Sequence, residues 1–175
     1  YSFSWGSIKE SLLFNGNHDS DLSDFDKYLS LYKYKFTNEK HELGGYSILK
    51  NKNIIIAMDN GSAPDKNYSD DYQSGPLSFE AIYKGNKIIC NSGYFQNQNH
   101  KLNNISRSTV AHSTLILNNR SASTFKKKNK KIILENSLKS LDKNIVFEKN
   151  FWSIKGSHNG YQKEFGIIHE RTLEF

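Results

Sequence analysis

His112, Arg107 and Tyr72 are the side chains best placed to do acid–base or anion-binding chemistry. His112 lies in the run Thr109 to Leu117, whose alternation predicts a strand. Such a strand puts Val110, His112, Thr114 and Ile116 on one face and Ala111, Ser113, Leu115 and Leu117 on the other. Arg107 stands just before it, at the expected rim of a cleft. Tyr72 and Gln73 occupy a polar loop, Asn67 to Pro76, between two apolar runs, the kind of element that carries function on a rigid scaffold. In a partly desolvated cleft Tyr72 can donate or accept a proton-linked hydrogen bond. His169 lies beside Arg171 in the last apolar run and is a candidate for lining the same cleft. His158 and Tyr161 fall in a Gly-containing stretch that reads as turn chemistry. Each has a plainer alternative: a hydrogen-bonded structural histidine, an ordinary solvated loop, or sheet packing. His18, His41 and His100 stand in polar stretches and give no usable signal.

The elements that must position these side chains come in two kinds. Ile8 to Phe14 and then Asp21 to Tyr34 are the helical part. In the second, Leu22, Phe25, Leu29 and Tyr32 fall close to the spacing of an amphipathic helix face, with Ser20, Asp21 or Ser23 able to cap it. Phe36 to Gly45 reads as a linker. From Tyr46 the chain turns to short runs rich in Ile, Phe, Tyr and Thr: Tyr46 to Leu49, Asn53 to Asp59, Leu77 to Tyr83, Lys87 to Asn91, Thr109 to Leu117, Lys131 to Asn136, Ile145 to Phe147, Phe151 to Lys155 and Ile167 to Phe175. Lys84-Gly85-Asn86 and Asn118-Asn119 read as tight turns and so predict antiparallel neighbours. The expected fold is mainly β, an antiparallel β-sandwich preceded by a short helical segment.

A hydrophobic content of 36% over 175 residues is enough for one buried core. No run is long enough to span a bilayer, and Tyr1 to Glu10 lack the layout of a signal peptide. The single cysteine, Cys90, excludes an internal disulfide or a Cys-based zinc knuckle; beside Ile88 and Ile89 it is expected to be a small buried hydrophobe. The net charge of +6 comes partly from one block, Lys126-Lys127-Lys128-Asn129-Lys130-Lys131. Polyanions fit that charge, but the block has no aromatic residues on which bases would stack and reads as a solvated hairpin tip. Neither a nucleic acid nor a membrane is expected as a partner.

Read in order, the segments carry a collective pattern. Leu13-Phe14-Asn15-Gly16, Gly45-Tyr46-Ser47-Ile48-Leu49 and Ile56-Ala57-Met58-Asp59-Asn60-Gly61 come first. Ser74-Gly75-Pro76-Leu77-Ser78-Phe79-Glu80, Ile88-Ile89-Cys90-Asn91-Ser92-Gly93 and Arg107-Ser108-Thr109-Val110-Ala111-His112-Ser113-Thr114-Leu115 follow. His158-Asn159-Gly160-Tyr161 and Phe165-Gly166-Ile167-Ile168-His169-Glu170-Arg171 close the set. Together they resemble the C-terminal domain of the heparinase II/III-like polysaccharide lyases, in the form found in alphaproteobacteria.

The resemblance implies a helical toroid domain N-terminal to this chain, with residues 1–40 as its last helices and linker. Residues 41–175 would be the β-sandwich docked against it. The last run reaches Phe175 without a cap or polar tail, so the sandwich is expected to continue beyond it. Such a protein would be bacterial, with its compartment, periplasmic or cytoplasmic, left open. A uronic-acid lyase must neutralise the substrate carboxylate, remove the proton beside it and protonate the leaving oxygen.

By resemblance His112 matches the histidine of the Arg-x-Thr-x-Ala-His segment. Gln73 stands where a loop histidine is expected and Asn91 where an aspartate is. Asp71 falls where some members have another histidine, and Gly75 replaces an aspartate. His112 and Tyr72 are thus the candidate catalytic residues. Arg107, Gln73, Asn91 and His169 are the candidate substrate-binding ones, Arg107 able to hold a carboxylate bidentately. Some members hold zinc, but neutral Gln73 and Asn91 depart from its ligand positions and no metal or other cofactor is expected. The expected role is one wall of a cleft for an acidic polysaccharide, inactive without the toroid. The alternative is a non-catalytic carbohydrate-binding or structural sandwich derived from such a lyase.

Overall fold

The computed structural model describes residues 27, 31–33, 41–51, 53–97, 99–128, 131–136 and 138–175. The helical stretch expected over Ile8 to Phe14, and most of that over Asp21 to Tyr34, lie outside them.

Two antiparallel sheets face each other. The first runs in the order β1 (Glu42–Leu43), β2 (Tyr46–Lys50), β3 (Ile54–Asp59), β4 (Phe79–Tyr83) and β5 (Asn86–Ile89). A hairpin of β6 (Phe125–Lys128) and β7 (Lys131–Leu134) stands apart. The second sheet takes β8 (Ser140–Phe147), β9 (Trp152–His158) and β10 (His169–Glu174) in the order β10-β9-β8. Alternation gives each sheet one apolar face. Leu49, Ile56, Met58 and Ala81 from the first pack with Leu77 against Trp152 and Ile154 of the second. Each large side chain so buried contributes about 1.5–3 kcal/mol. The antiparallel sandwich expected from the sequence is therefore the observed fold.

The short connections follow their residues. Lys84 and Gly85 both take positive φ, 47° and 80°, between β4 and β5, and Asn118 and Asn119 do so between the bridged residues Leu117 and Arg120. These are the tight turns the sequence indicated, because Asn and Gly tolerate the left-handed region. Asn60 ties the sheets together beyond β3. Its Nδ2 donates to Ser47 Oγ at 2.9 Å and to the Lys155 carbonyl at 3.2 Å. Its Oδ1 fills the place where a side chain at Gly156 would begin, 1.7 Å from an added Cβ. Among the described residues, no helix is long and apolar enough to cross a membrane.

Four local expectations are corrected. Thr109 to Leu117 is not a strand: α1 (Lys101–Arg107) precedes a 3₁₀ turn over Thr109–Ala111, and His112 follows it as isolated extended backbone. The cause is competition for backbone groups. The Thr109 N–H donates to Ser121 Oγ, those of Ala111 and His112 close local turns, and that of Ser113 donates to Asn91 Oδ1. The four-residue face proposed for His112 therefore does not exist. Cys90 is exposed rather than buried, because it follows edge strand β5, whose residues Asn86 to Ile88 are also exposed. His158 is the last residue of β9, and the turn begins after it. Lys126 to Lys128 lie in β6 and Lys131 in β7, so strand pairing runs into the block that was read as a hairpin tip.

Candidate functional site

Three segments interlock at one end of the sandwich: the loop 69–78, the stretch 106–114 and the approach to β6, 121–124. Ser74 and Thr109 are the rivet. Their hydroxyls lie 2.9 Å apart, and Thr109 Oγ1 donates to the Ser74 carbonyl at 2.8 Å. The N–H groups of Ala122 and Ser123 donate to Thr109 Oγ1 and Ser74 Oγ. Both residues are fully buried, so these bonds are made in a low-dielectric setting where they hold geometry firmly.

Arg107 was expected at a rim, but it lies inside this clasp at 1% exposure. Its Nε donates to the Tyr72 carbonyl at 2.8 Å, Nη2 to that of Ser69 at 2.8 Å and Nη1 to that of Ile132 at 3.0 Å. Its guanidinium lies 4.4 Å from the centre of the Phe125 ring. A planar fork with several donors suits a hub joining three separate backbones. The geometry makes Arg107 an organiser of the loops.

His112 emerges from the clasp against Gly75. A Cβ at position 75 would stand 2.9 Å from His112 Cγ, so the glycine makes room for the ring. One ring nitrogen meets the Ser106 carbonyl, while Nε2 has no hydrogen-bond partner among the described residues. The proton therefore belongs on Nδ1, and Nε2 is left as an acceptor. Burial lowers the His112 pKa to about 4, partly opposed by the Ser106 carbonyl. At neutral pH the imidazole is uncharged.

Asn91 supports His112 from behind. Its Oδ1 accepts from the Ser113 N–H at 2.8 Å, and its N–H and Nδ2 approach Glu80 Oε1 at 3.3 and 3.4 Å. The Ser113 hydroxyl accepts from the Phe79 N–H at 2.9 Å, while Arg171 Nη1 donates to the Leu77 carbonyl at 2.7 Å and also reaches the Ser113 carbonyl. The carbonyl that a zinc ion would need from Asn91 is already engaged by Ser113. Among the described residues, no three His, Cys, Asp or Glu side chains converge on one point. The side chains present do not fit a zinc site.

Tyr72 and Gln73 are half-buried on the loop that Arg107 and Ser74 fix. Burial, and then the Asp59 carboxylate, push the Tyr72 phenol above its usual range. Tyr72 thus stays protonated at neutral pH and can act as a donor. Sequence reading passed over Asp59, which sits opposite Tyr46 in the β2–β3 register. Burial raises its pKa to about 7, although the Gly61 N–H that it accepts works the other way. Tyr46 is raised by burial and then by Asp59. In Met58-Asp59-Asn60-Gly61 the aspartate resembles a turn residue. Only the pairing with Tyr46 reveals its setting.

His169 does not join this group. It shares the inward face of β10 with Arg171 and Leu173 and pairs across with His158. The Gly160 N–H donates to His158 Nδ1 at 3.0 Å, so His158 carries its proton on Nε2 and donates to His169 Nδ1 at 3.0 Å. Burial lowers both, His158 to about 3 and His169 to about 4, with Arg171 adding to each. The structure therefore carries Tyr72 and Gln73 on one segment of the clasp and His112 on another, with Arg107 bonded to the Tyr72 carbonyl and Asn91 to the Ser113 N–H.

Residues 39–175 match the family model described as "Heparinase II/III-like, C-terminal". No curated protein matches the chain. Among solved structures, heparan sulfate lyase HepC from Pedobacter heparinus is similar with a TM-score of 0.65 and 17% identity, over 99% of this chain and 27% of that one. A mutant of the same enzyme gives 0.63 and 17%, over 91% of this chain and 26% of that one. This chain thus spans about a quarter of the length of the solved structures it matches. At such identity the likeness is one of fold.

Proposed function

Because the chain belongs to the heparinase II/III-like family, as its C-terminal domain, we propose that it forms one wall of a cleft for an acidic, uronic-acid-containing polysaccharide. The opposite wall is a helical toroid domain, to which residues 1–40 lead. The observation that supports this reading is the clasp, in which buried hydrogen bonds cross-link the loop bearing Tyr72 and Gln73 to the stretch bearing His112. Likeness in fold to a heparan sulfate lyase supports the substrate class.

In β-elimination a base removes the proton next to the uronate carboxylate. The electron pair then forms the ring double bond, and the glycosidic oxygen departs and takes up a proton. Tyr72 contributes a phenolic donor and Gln73 an amide that orients the sugar, while His112 Nε2, buried and without a partner among the described residues, is an acceptor available only to a group that displaces its cover. Arg107 and Asn91 position these loops, and His169 supports β10 from within the sandwich. An imidazole with a pKa of about 4 is a weak base at neutral pH. That is the observation in favour of the alternative, a non-catalytic carbohydrate-binding or structural sandwich derived from such a lyase.

Replacing His112 with Gln in the native protein tests the assignment. Turnover or binding of a uronate polysaccharide should fall at least tenfold while the melting temperature stays within a few degrees. A large fall in melting temperature with unchanged affinity would make His112 a core residue instead. Loss of turnover with affinity retained favours the lyase; loss of affinity in a protein that forms no unsaturated product favours the carbohydrate-binding sandwich.

A further inference from the structure

Beside the clasp, a cleft of about 590 Å³ opens between the end of α1 and the β6–β7 hairpin. Arg107, Lys126 and Lys127 bring three positive charges to its walls, and Asn104 and Thr124 bring amide and hydroxyl groups. Among the described residues, no carboxylate lines it. On the neighbouring strand, Lys131 is paired with Asp70 at 2.8 Å, whereas no such pair forms at Lys126 or Lys127 among the described residues. Phe125 and Lys127 share a face of β6, so the ring that carries the Arg107 guanidinium and the Lys127 side chain border the same space.

The second observation is the state of Arg107. It is 1% exposed, and its hydrogen bonds go only to carbonyls. Burying a cation is costly, and here its hydrogen-bond partners are neutral while the Asp71 and Asp70 carboxylates act only through space; a further negative charge in the cleft lowers that cost. We propose that this cleft is a subsite for the sulfate or carboxylate group of a sugar in the bound polysaccharide, held by Lys127 above Arg107, with Lys126 on the other face of β6 adding positive charge at its edge. The proposal rests on the polysaccharide reading given above and adds the residues that hold the charge, outside the His112 clasp.

The test is calorimetric titration of the native protein with a sulfated heparan oligosaccharide, its desulfated counterpart that keeps the uronate, a neutral xylo-oligosaccharide, and inorganic polyphosphate. The double variant K126Q/K127Q should weaken binding of the acidic oligosaccharides at least tenfold and flatten their salt dependence. K126R/K127R should keep both, the neutral sugar should bind neither form measurably, and melting temperatures should agree within a few degrees. Equal affinity in the wild type and K126Q/K127Q overturns the subsite. If His112→Gln weakens that same binding, the polysaccharide reading survives and only the subsite falls. Polyphosphate bound as tightly as the oligosaccharide overturns it as well, by reducing the cleft to an undiscriminating basic patch. If the wild type binds no acidic oligosaccharide, the polysaccharide reading fails along with it.

Discussion

Arg107→Met removes the hub of the clasp and leaves three carbonyls, of Ser69, Tyr72 and Ile132, without their donor. A buried acceptor left unsatisfied costs about 1–3 kcal/mol, so the three together cost roughly 3–9 kcal/mol if water does not reach them. Loss of the guanidinium from the Phe125 ring, 4.4 Å away, adds about 0.5–2 kcal/mol. A domain of this size is stable by about 5–15 kcal/mol, so the variant should be severely destabilised or fail to fold. Arg107→Lys keeps the charge but cannot fan three donors in one plane, and it should lose several kcal/mol while remaining measurable. Urea unfolding followed by tryptophan fluorescence gives the midpoint and its slope for both variants. If Arg107→Lys unfolds within about 1 kcal/mol of the wild type yet loses oligosaccharide binding, the reasoning fails and Arg107 is a ligand contact, as the sequence suggested.

Acidification from about pH 6.5 toward 4 should lower the melting temperature. His112, His158 and His169 have folded pKa values of about 4, 3 and 4, below their unfolded 6.5, so the unfolded chain binds more protons in that window and gains. Asp59, raised from 3.8 to about 7, acts in the opposite sense and loses its contribution as pH rises through that range, so it offsets one of the three. A melting temperature that rises on acidification would contradict the buried neutral histidines. Gly156→Ala places a Cβ 1.7 Å from Asn60 Oδ1 and 2.6 Å from Leu77 Cδ2, and should cost about 1–3 kcal/mol or more in urea unfolding. Gly75→Ala should displace the His112 ring, lowering oligosaccharide affinity with a smaller effect on melting than Gly156→Ala. Asn91→Asp sets a second carboxylate beside Glu80 and should destabilise the chain at pH 7, with recovery at lower pH where one of the pair is protonated.

The sandwich was legible because its strands carry their own signal: Ile54–Asp59 is a short apolar run bounded by turn residues, Trp152 and Ile154 alternate with polar residues, and both strands meet in one core. β6 was hidden because three of its four residues are lysines, and only Phe125 and Lys127 face inward, opposite Leu134 and Ile132. β8 begins at Ser140, passes through an irregularity at Leu141 and Asp142 and resumes pairing with β9 at Lys143 and Asn144, which leaves little trace in side-chain pattern. The stretch 109–117 misled for a different reason. Its alternation is real, but the N–H groups of Thr109 and Ser113 go to Ser121 and Asn91, which show no local signal, and those of Ala111 and His112 close local turns. His112 and the Tyr72–Gln73 loop were legible as candidates. The inward placement of Arg107 and His169 was not, since an arginine bound to three carbonyls and one bound to a substrate read alike in sequence.

Amide hydrogen exchange of the native protein with and without a sulfated heparan oligosaccharide tests the central claim most directly. The polysaccharide reading predicts slowed exchange confined to 69–78, 106–114 and the β6–β7 hairpin, with the outer face of β8 to β10 unchanged. Protection on that outer face, or none anywhere at saturating oligosaccharide, would contradict it.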